Sequence, residues 1–127
     1  MPSYAYAPVL SPTQKHKYAV AQLPPKDYAK HLLKQEYADP RKQYGCLTKL
    51  WGKESGWNYQ AKSPTYDYGI PQRHMKHNSQ KEIQDFMKHP HIQIRWGLGY
   101  IEHRYKSPCG ALAVWLSRSE NGRGGWY

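Results

Sequence analysis

The sequence predicts a mainly α-helical domain of two lobes, in which the smaller lobe is irregular or a β-hairpin. Apolar residues recur at helical spacing in several segments after about residue 26. A polar, turn-rich stretch at residues 56–78 is too long for a simple connection between helices. A chain of 127 residues has room for one such domain with a modest core.

The first 25 residues are predicted to form a Pro/Tyr-rich arm, and residues 26–127 the folded domain. Prolines interrupt every potential helix of the arm, and its apolar residues follow no period. These prolines are Pro2, Pro8, Pro12, Pro24 and Pro25. We see no secretory signal at the start and no stretch long enough to span a membrane, so export would need another route.

Two helices are predicted before the small lobe. The first runs from about residue 26 to residue 37 and Pro40 ends it. Its apolar residues are Tyr28, Ala29, Leu32 and Leu33. The second spans about residues 41–55, and its apolar face consists of Cys46, Leu47, Leu50 and Trp51.

Three more helices are predicted after the small lobe. A capping-box pattern from Ser79 to Glu82 opens a short helix. The next helix has an apolar stripe of Ile94, Leu98, Ile101 and Tyr105. Gly97 and Gly99 lie within it, each at a cost of about 1 kcal/mol against Ala, so we expect a close backbone approach and a buried central helix. Ser107 and Pro108 open the last helix.

The composition favours a polyanionic partner and a surface rich in amphipathic aromatic residues. Lys and Arg number 19 against nine acidic residues, for a net charge of +10, and there are 12 Tyr and five Trp. Such charge attracts nucleic acid or bacterial cell wall alike. Because the cations are dispersed along the chain, they argue against specific nucleic-acid binding. Tyr and Trp are suited to a groove where sugars or bases stack, and they are equally suited to a small core whose edges contact water.

The possible metal-ligating residues are few and scattered. Cys46 and Cys109 are far apart with no C-x-x-C pair, which argues against a structural zinc site. This spacing allows either one disulfide or two buried thiols. The pairs His74-x-x-His77 and His89-x-His91 lack a third ligand, and a solvated surface is favoured for them. We expect neither a metal nor a cofactor.

Glu54 is the candidate catalytic residue, because it is a carboxylate at a position where the periodicity of the second helix predicts an apolar residue. It lies i+4 from Leu50 and i+3 from Trp51, on the same stripe. The helix C-terminus and partial burial beside Trp51 and Trp57 both raise the pKa of this carboxyl. An acid of that kind is what protonation of a glycosidic oxygen requires. A Glu that simply reaches solvent at the helix end is the alternative.

Four motifs follow one another along the chain: CLTKLWGKESGWN with Glu54-Ser55-Gly56, YGIPQ, IQIRWGLGYI and SPCGA, before a terminal GWY. Their order resembles the lysozyme-like lytic transglycosylases of the soluble type, in the form found in actinobacteria and their phages. The resemblance covers about residues 26–127. It implies a lysozyme-like two-lobed fold, with the cleft between the helical body and the small lobe.

The resemblance also implies a reaction and its site. Glu54 would protonate the oxygen between N-acetylmuramic acid and N-acetylglucosamine, and the bond would break through an oxocarbenium-like transition state. The same residue would then act as base, either for the 6-hydroxyl that closes an anhydro ring or for water in a muramidase. The predicted substrate-binding residues are Ser55, Tyr68, Gln72, Tyr100 and Trp115.

Two departures from the family pattern leave questions open. Ala113-Val114-Trp115 stands about where the family has a Tyr-Asn-x-Gly element, so the residue that orients Glu54 is undetermined. Asp67 in the small lobe is either a second carboxylate that stabilises the cation or an ordinary loop residue, and the loop interpretation is favoured.

The cysteine pair recurs in the resembling sequences, which implies a disulfide between Cys46 and Cys109. Peptidoglycan is the expected partner, and the cell wall outside the cytoplasm is the expected place of action. Association with a phage tail or a larger phage protein is a further expectation, and nucleic acid would bind only non-specifically. The competing function is a basic, Tyr-rich binding module for cell wall or nucleic acid without catalysis.

Overall fold

The computed structural model describes residues 9–121, which are mainly helical. The helices are α1 (Pro12–Ala21), α2 (Pro25–Glu36), α3 (Pro40–Ser55), α4 (Gln80–Lys88), α5 (Pro90–Tyr105) and α6 (Pro108–Glu120). Strands β1 (Asp67–Tyr68) and β2 (Arg73–His74) pair antiparallel inside the small lobe, residues 56–78. The predicted fold class is confirmed. No helix among residues 9–121 has the length and apolar character of a membrane span.

Proline begins the helices of this chain more often than it ends them. Residues at the first helical position need no N–H partner, and the fixed φ of proline suits that position. Each of five helices starts on such a residue: Pro12, Pro25, Pro40, Pro90 and Pro108. The exception, α4, has the capping box that the sequence predicted, with Ser79 and Glu82 bonded reciprocally.

The helix α1 corrects the prediction that prolines prevent every helix in the first 25 residues. Ser11 and Gln14 form a capping box, Pro12 occupies the first helical position, and no proline follows until Pro24. None of the residues of α1 is buried, although Val20 packs against the edge of the core. The division into an arm of residues 1–25 and a domain of residues 26–127 stays a prediction.

The core lies where α3 packs against α2 and α6, and where α5 packs against α2, α4 and α6. The position of α5 confirms that it is the central helix. Its Gly97 has no room for a side chain, since a Cβ there would lie 2.5 Å from Cζ2 of Trp51. The predicted close approach is therefore to a side chain and not to a backbone. Gly99 faces open space, so the prediction is wrong for that residue.

A disulfide joins Cys46 on α3 to Cys109 at the start of α6, as the resemblance implied. It spans 63 residues of sequence, and the two Cα atoms are 5.0 Å apart. Beside it, the backbone N–H of Cys109 donates to Oε1 of the buried Gln43 at 3.0 Å. These links fix the helix of Glu54 to the helix of Trp115.

A buried glutamine attaches the small lobe to the helical body. Gln93 of α5 is fully buried, and its Oε1 accepts from the N–H of Ile70 at 2.8 Å. Its Nε2 donates to the carbonyl oxygens of Tyr59 and Phe86 at 3.0 and 2.9 Å. Gly69 has a φ of +77°, and a Cβ there would lie 2.5 Å from the same Oε1, so the turn before Ile70 depends on glycine.

Candidate active site

A cavity of about 650 Å³ opens between the small lobe and the C-terminal parts of α3, α5 and α6. That volume lies within the range of small-molecule binding sites in proteins. Five of the predicted site residues line it: Glu54, Asp67, Gln72, Tyr100 and Trp115. They come from four elements that are distant in sequence, so the fold brings them together.

Glu54 is the next-to-last residue of α3 and is half-buried in the cavity wall. Its pKa is raised from the ordinary value of 4.5 to about 7, mainly by burial and also by the negative charge of Asp67. The indole N–H of Trp115 opposes this shift in pKa. Its approach falls short of a full hydrogen bond, because Oε1 of Glu54 and Nε1 of Trp115 are buried with no hydrogen-bond partner among residues 9–121. Around neutral pH the carboxyl therefore populates both its protonated and its ionised form.

Trp115 is the residue that faces the Glu54 carboxyl from α6. The sequence left the orienting residue undetermined, because the separation of 61 positions between them gives no local pattern. In the structure both residues line the cavity, and the indole N–H lies near enough to the carboxyl to lower its pKa. Its predicted role in substrate binding stays a prediction.

The end of α3 is tied to the small lobe by a residue that was predicted to contact substrate. The Ser55 hydroxyl donates to the carbonyl oxygen of Ile70 at 2.7 Å, and Gly56 ends the helix with a φ of +63°. Ser55 does not line the cavity, and neither does Tyr68, which packs against a small apolar cluster of Met75 from the lobe with Ile83 and Phe86 from α4. Their roles as substrate contacts therefore gain no support from the structure.

Asp67 lies in a strand and not in a loop, while its role as a second carboxylate stays a prediction. It lies in β1, its exposed fraction is 5%, and it forms part of the cavity wall. Its Oδ2 accepts from the hydroxyls of Ser63 and Thr65 at 2.8 and 2.6 Å, and Nδ1 of His74 donates to its Oδ1 at 3.0 Å. Asp67 is thus a buried carboxylate with both oxygens engaged.

Two aromatic rings form a flat part of the cavity wall. Tyr100 and Trp96 on α5 are stacked, with ring centroids 5.2 Å apart and planes 14° from parallel. On the lobe side, Nε2 of Gln72 donates to the carbonyl oxygen of Gly69 at 3.0 Å. The sequence missed Trp96 as a site residue, although it stands inside the Gly-containing motif of α5.

The histidines do not form a metal site within residues 9–121, where no group of three or more His, Cys, Asp or Glu is placed to hold an ion. His74 is exposed, as expected, but it also binds Asp67. His91 is not on a solvated surface, which corrects the prediction. Its ring stacks on Tyr28 at 3.8 Å between centroids, and its Nε2 bonds the carbonyl oxygen of Leu23 at 2.7 Å.

Comparison with known proteins identifies the family. The family described as Transglycosylase SLT domain matches residues 31–118, which is more than half of the chain. No curated protein and no solved structure matches the chain. The family comprises lytic transglycosylases, which are glycosidases that act on peptidoglycan outside the cytoplasm. With a mainly helical fold and a cavity lined by the Glu54 of its Glu-Ser-Gly motif, the chain belongs to the transglycosylase SLT domain family and is a peptidoglycan lytic transglycosylase.

Proposed function

We propose that Glu54 is the general acid and then the general base for cleavage between N-acetylmuramic acid and N-acetylglucosamine. The observation that carries this proposal is a half-buried carboxyl in the cavity wall with a pKa of about 7. General acid catalysis is most efficient when the pKa lies near the working pH, and burial is the usual means of raising a carboxyl to that range.

The reaction needs one proton to leave Glu54 and one to return. The protonated carboxyl donates to the glycosidic oxygen, the bond from that oxygen to C1 of the muramic acid breaks, and an oxocarbenium-like centre develops at C1. The Glu54 carboxylate then accepts the proton of the 6-hydroxyl of the same sugar, whose oxygen attacks C1 and closes an anhydro ring. No water is consumed, and the muramidase alternative differs only in that water attacks C1.

Asp67 supplies a fixed negative charge in this proposal and not a nucleophile. Both of its oxygens already accept hydrogen bonds, from Ser63 and Thr65 on one side and His74 on the other. A buried, oriented charge stabilises a developing cation without reorganisation. The same charge raises the pKa of Glu54 and so keeps the acid protonated before the reaction.

The stacked pair Trp96 and Tyr100 is proposed to contact the sugar rings, together with Gln72 and Trp115. Flat amphipathic rings present an apolar face to the C–H groups of a sugar and keep a polar edge in water. All four residues line the cavity that contains Glu54.

The test is Glu54→Gln, because the amide keeps the shape of the side chain and loses its proton. We expect release of soluble fragments from purified peptidoglycan to fall by about 10²–10⁴-fold. Glu120→Gln removes an exposed carboxylate at the end of α6 and should leave the rate unchanged. If Glu54→Gln retained more than about a tenth of the wild-type rate, the assignment would be wrong.

The same digest distinguishes the remaining alternatives. Mass spectrometry of the fragments separates anhydro from reducing ends, and anhydro ends are expected. Binding to cell wall without any fragment release would favour the non-catalytic module instead. Retention on DNA should be weak and should fall steeply with salt, as for non-specific binding. Association with a phage tail or a larger phage protein rests on the sequence resemblance alone.

A further inference from the structure

Three helices end in cations that line the same cavity. Lys53, Arg104 and Arg118 lie in the last turns of α3, α5 and α6. All three side chains belong to the cavity wall that also contains Glu54. The cavity therefore combines a fixed carboxylate at Asp67 with a larger number of positive charges.

Two of these cations are held in place by aromatic rings. Nζ of Lys53 lies 4.8 Å from the ring centroid of Trp115. The Arg104 guanidinium lies 5.9 and 5.7 Å from the rings of Tyr100 and Tyr105, and its Nη1 donates to the Tyr100 hydroxyl at 3.2 Å. Cation–π contacts orient a charge without neutralising it. Within residues 9–121, neither Lys53 nor Arg104 forms an ion pair with an acidic side chain.

The helix dipole explains why the side chains at these helix ends are cationic, but it does not explain why all three line the same cavity. A cation in the last turn is favourable at any helix C-terminus. Lys34 and Lys88 occupy the last turns of α2 and α4 in the same way, and neither lines the cavity. The convergence of the other three on one cavity therefore calls for an anionic group on the ligand.

The chemistry of the substrate identifies that group. The N-acetylated sugars of the glycan strand are neutral, whereas the stem peptide on the lactyl group of muramic acid carries carboxylates. These carboxylates are attached to the sugar whose C1 reacts, so they enter the site with it. Lys and Arg both form charge-assisted hydrogen bonds with carboxylates, and Arg does so through a planar fork.

We infer that Lys53, Arg104 and Arg118 bind a carboxylate of the stem peptide, so that the enzyme selects glycan strands that still carry anionic peptides. This inference rests on the proposed function, because it places the scissile bond of the strand beside Glu54. It adds a determinant of substrate choice that acts through charge at the edge of the cavity.

The experiment compares two substrates made from one glycan preparation. The first has its stem peptides intact, and the second has their carboxylates amidated. We measure kcat/KM of the wild-type enzyme, of the double variant Lys53→Gln with Arg104→Gln, and of the control Lys49→Gln with Arg95→Gln. The control removes the same charge from exposed positions of α3 and α5 outside the cavity.

The wild-type enzyme should prefer intact over amidated strands by about threefold to tenfold, as expected for two partly solvated ion pairs. The control should keep this ratio, and the double variant, which keeps only Arg118 of the three cations, should lower it towards one. The preference should also shrink at high salt. A ratio between two substrates cancels any change in the pKa of Glu54, and each single variant provides the same ratio if the double variant does not fold.

Equal wild-type rates on intact and amidated strands would overturn the inference, as would an unchanged ratio in the variants. Failure of the proposed function gives a different result, since Glu54→Gln would then keep its rate on the intact strands whatever ratio the wild-type enzyme shows. Equal wild-type rates on both substrates, with Glu54→Gln inactive on both, would leave the role of Glu54 standing and remove only the recognition of the stem peptide.

Discussion

Replacing Glu54 by Gln should change the stability of the protein in a pH-dependent way. Burial raises the pKa of this carboxyl from 4.5 to about 7, so the folded protein binds the proton more tightly than the unfolded chain does. For a group of that kind the stabilisation is fully present below the unfolded pKa and is lost as the pH rises through the folded pKa. Gln has the same shape and does not titrate, so the variant does not lose stability in this way as the pH rises.

The magnitude follows from the shift in pKa. A difference of one pKa unit between the two states corresponds to about 1.36 kcal/mol, so a rise from 4.5 to about 7 corresponds to about 3.4 kcal/mol for a fully buried group. Glu54 is only half-buried, and solvent screening reduces the effect. We expect Glu54→Gln to gain about 1–2 kcal/mol relative to wild type between about pH 4 and about pH 9.

The assay is denaturant unfolding of both proteins at the two pH values, with the disulfide intact. The quantity compared is the difference in unfolding free energy between variant and wild type, and any constant effect of the amide cancels between the two pH values. Glu120→Gln, at an exposed position, measures the effect of losing one surface charge. A difference that stays constant with pH, or one that moves in favour of wild type as the pH rises, would refute the reasoning.

Four further predictions concern other parts of the structure. Asp67→Asn removes a charge that raises the pKa of Glu54, so the pH at which kcat/KM declines should move lower, and the loss of rate should be smaller than for Glu54→Gln. Reduction of the disulfide should cost about 4 kcal/mol in denaturant unfolding, and the denatured, unreduced protein should show no free thiol from that pair. Gly97→Ala should destabilise by about 1–3 kcal/mol because its Cβ overlaps an indole. Gly99→Ala, which faces open space, should instead gain up to about 1 kcal/mol in thermal or denaturant unfolding.

The helices after residue 25 could be predicted because their signals are local. Apolar periodicity reports which face of a helix will be buried, whatever that face packs against. The prediction failed at α1. Proline interrupts the interior of a helix, but it is favourable at the first position of one. Pro12 begins α1 beside a capping Ser11, so the position of proline relative to the cap mattered more than its presence.

The fold class could be predicted from the sequence, and so could the choice of Glu54 as the proposed acid, since a carboxylate on an apolar stripe is unusual wherever the stripe packs. The groups around Glu54 could not be predicted, because they are separated from it by many residues and share no period with it. The lobe buries Asp67 among Ser63, Thr65 and His74, and α6 places Trp115 against the carboxyl. Burial and the nearby charge raise the pKa of Glu54 to about 7, and both depend on how the lobe and α6 close around the end of α3.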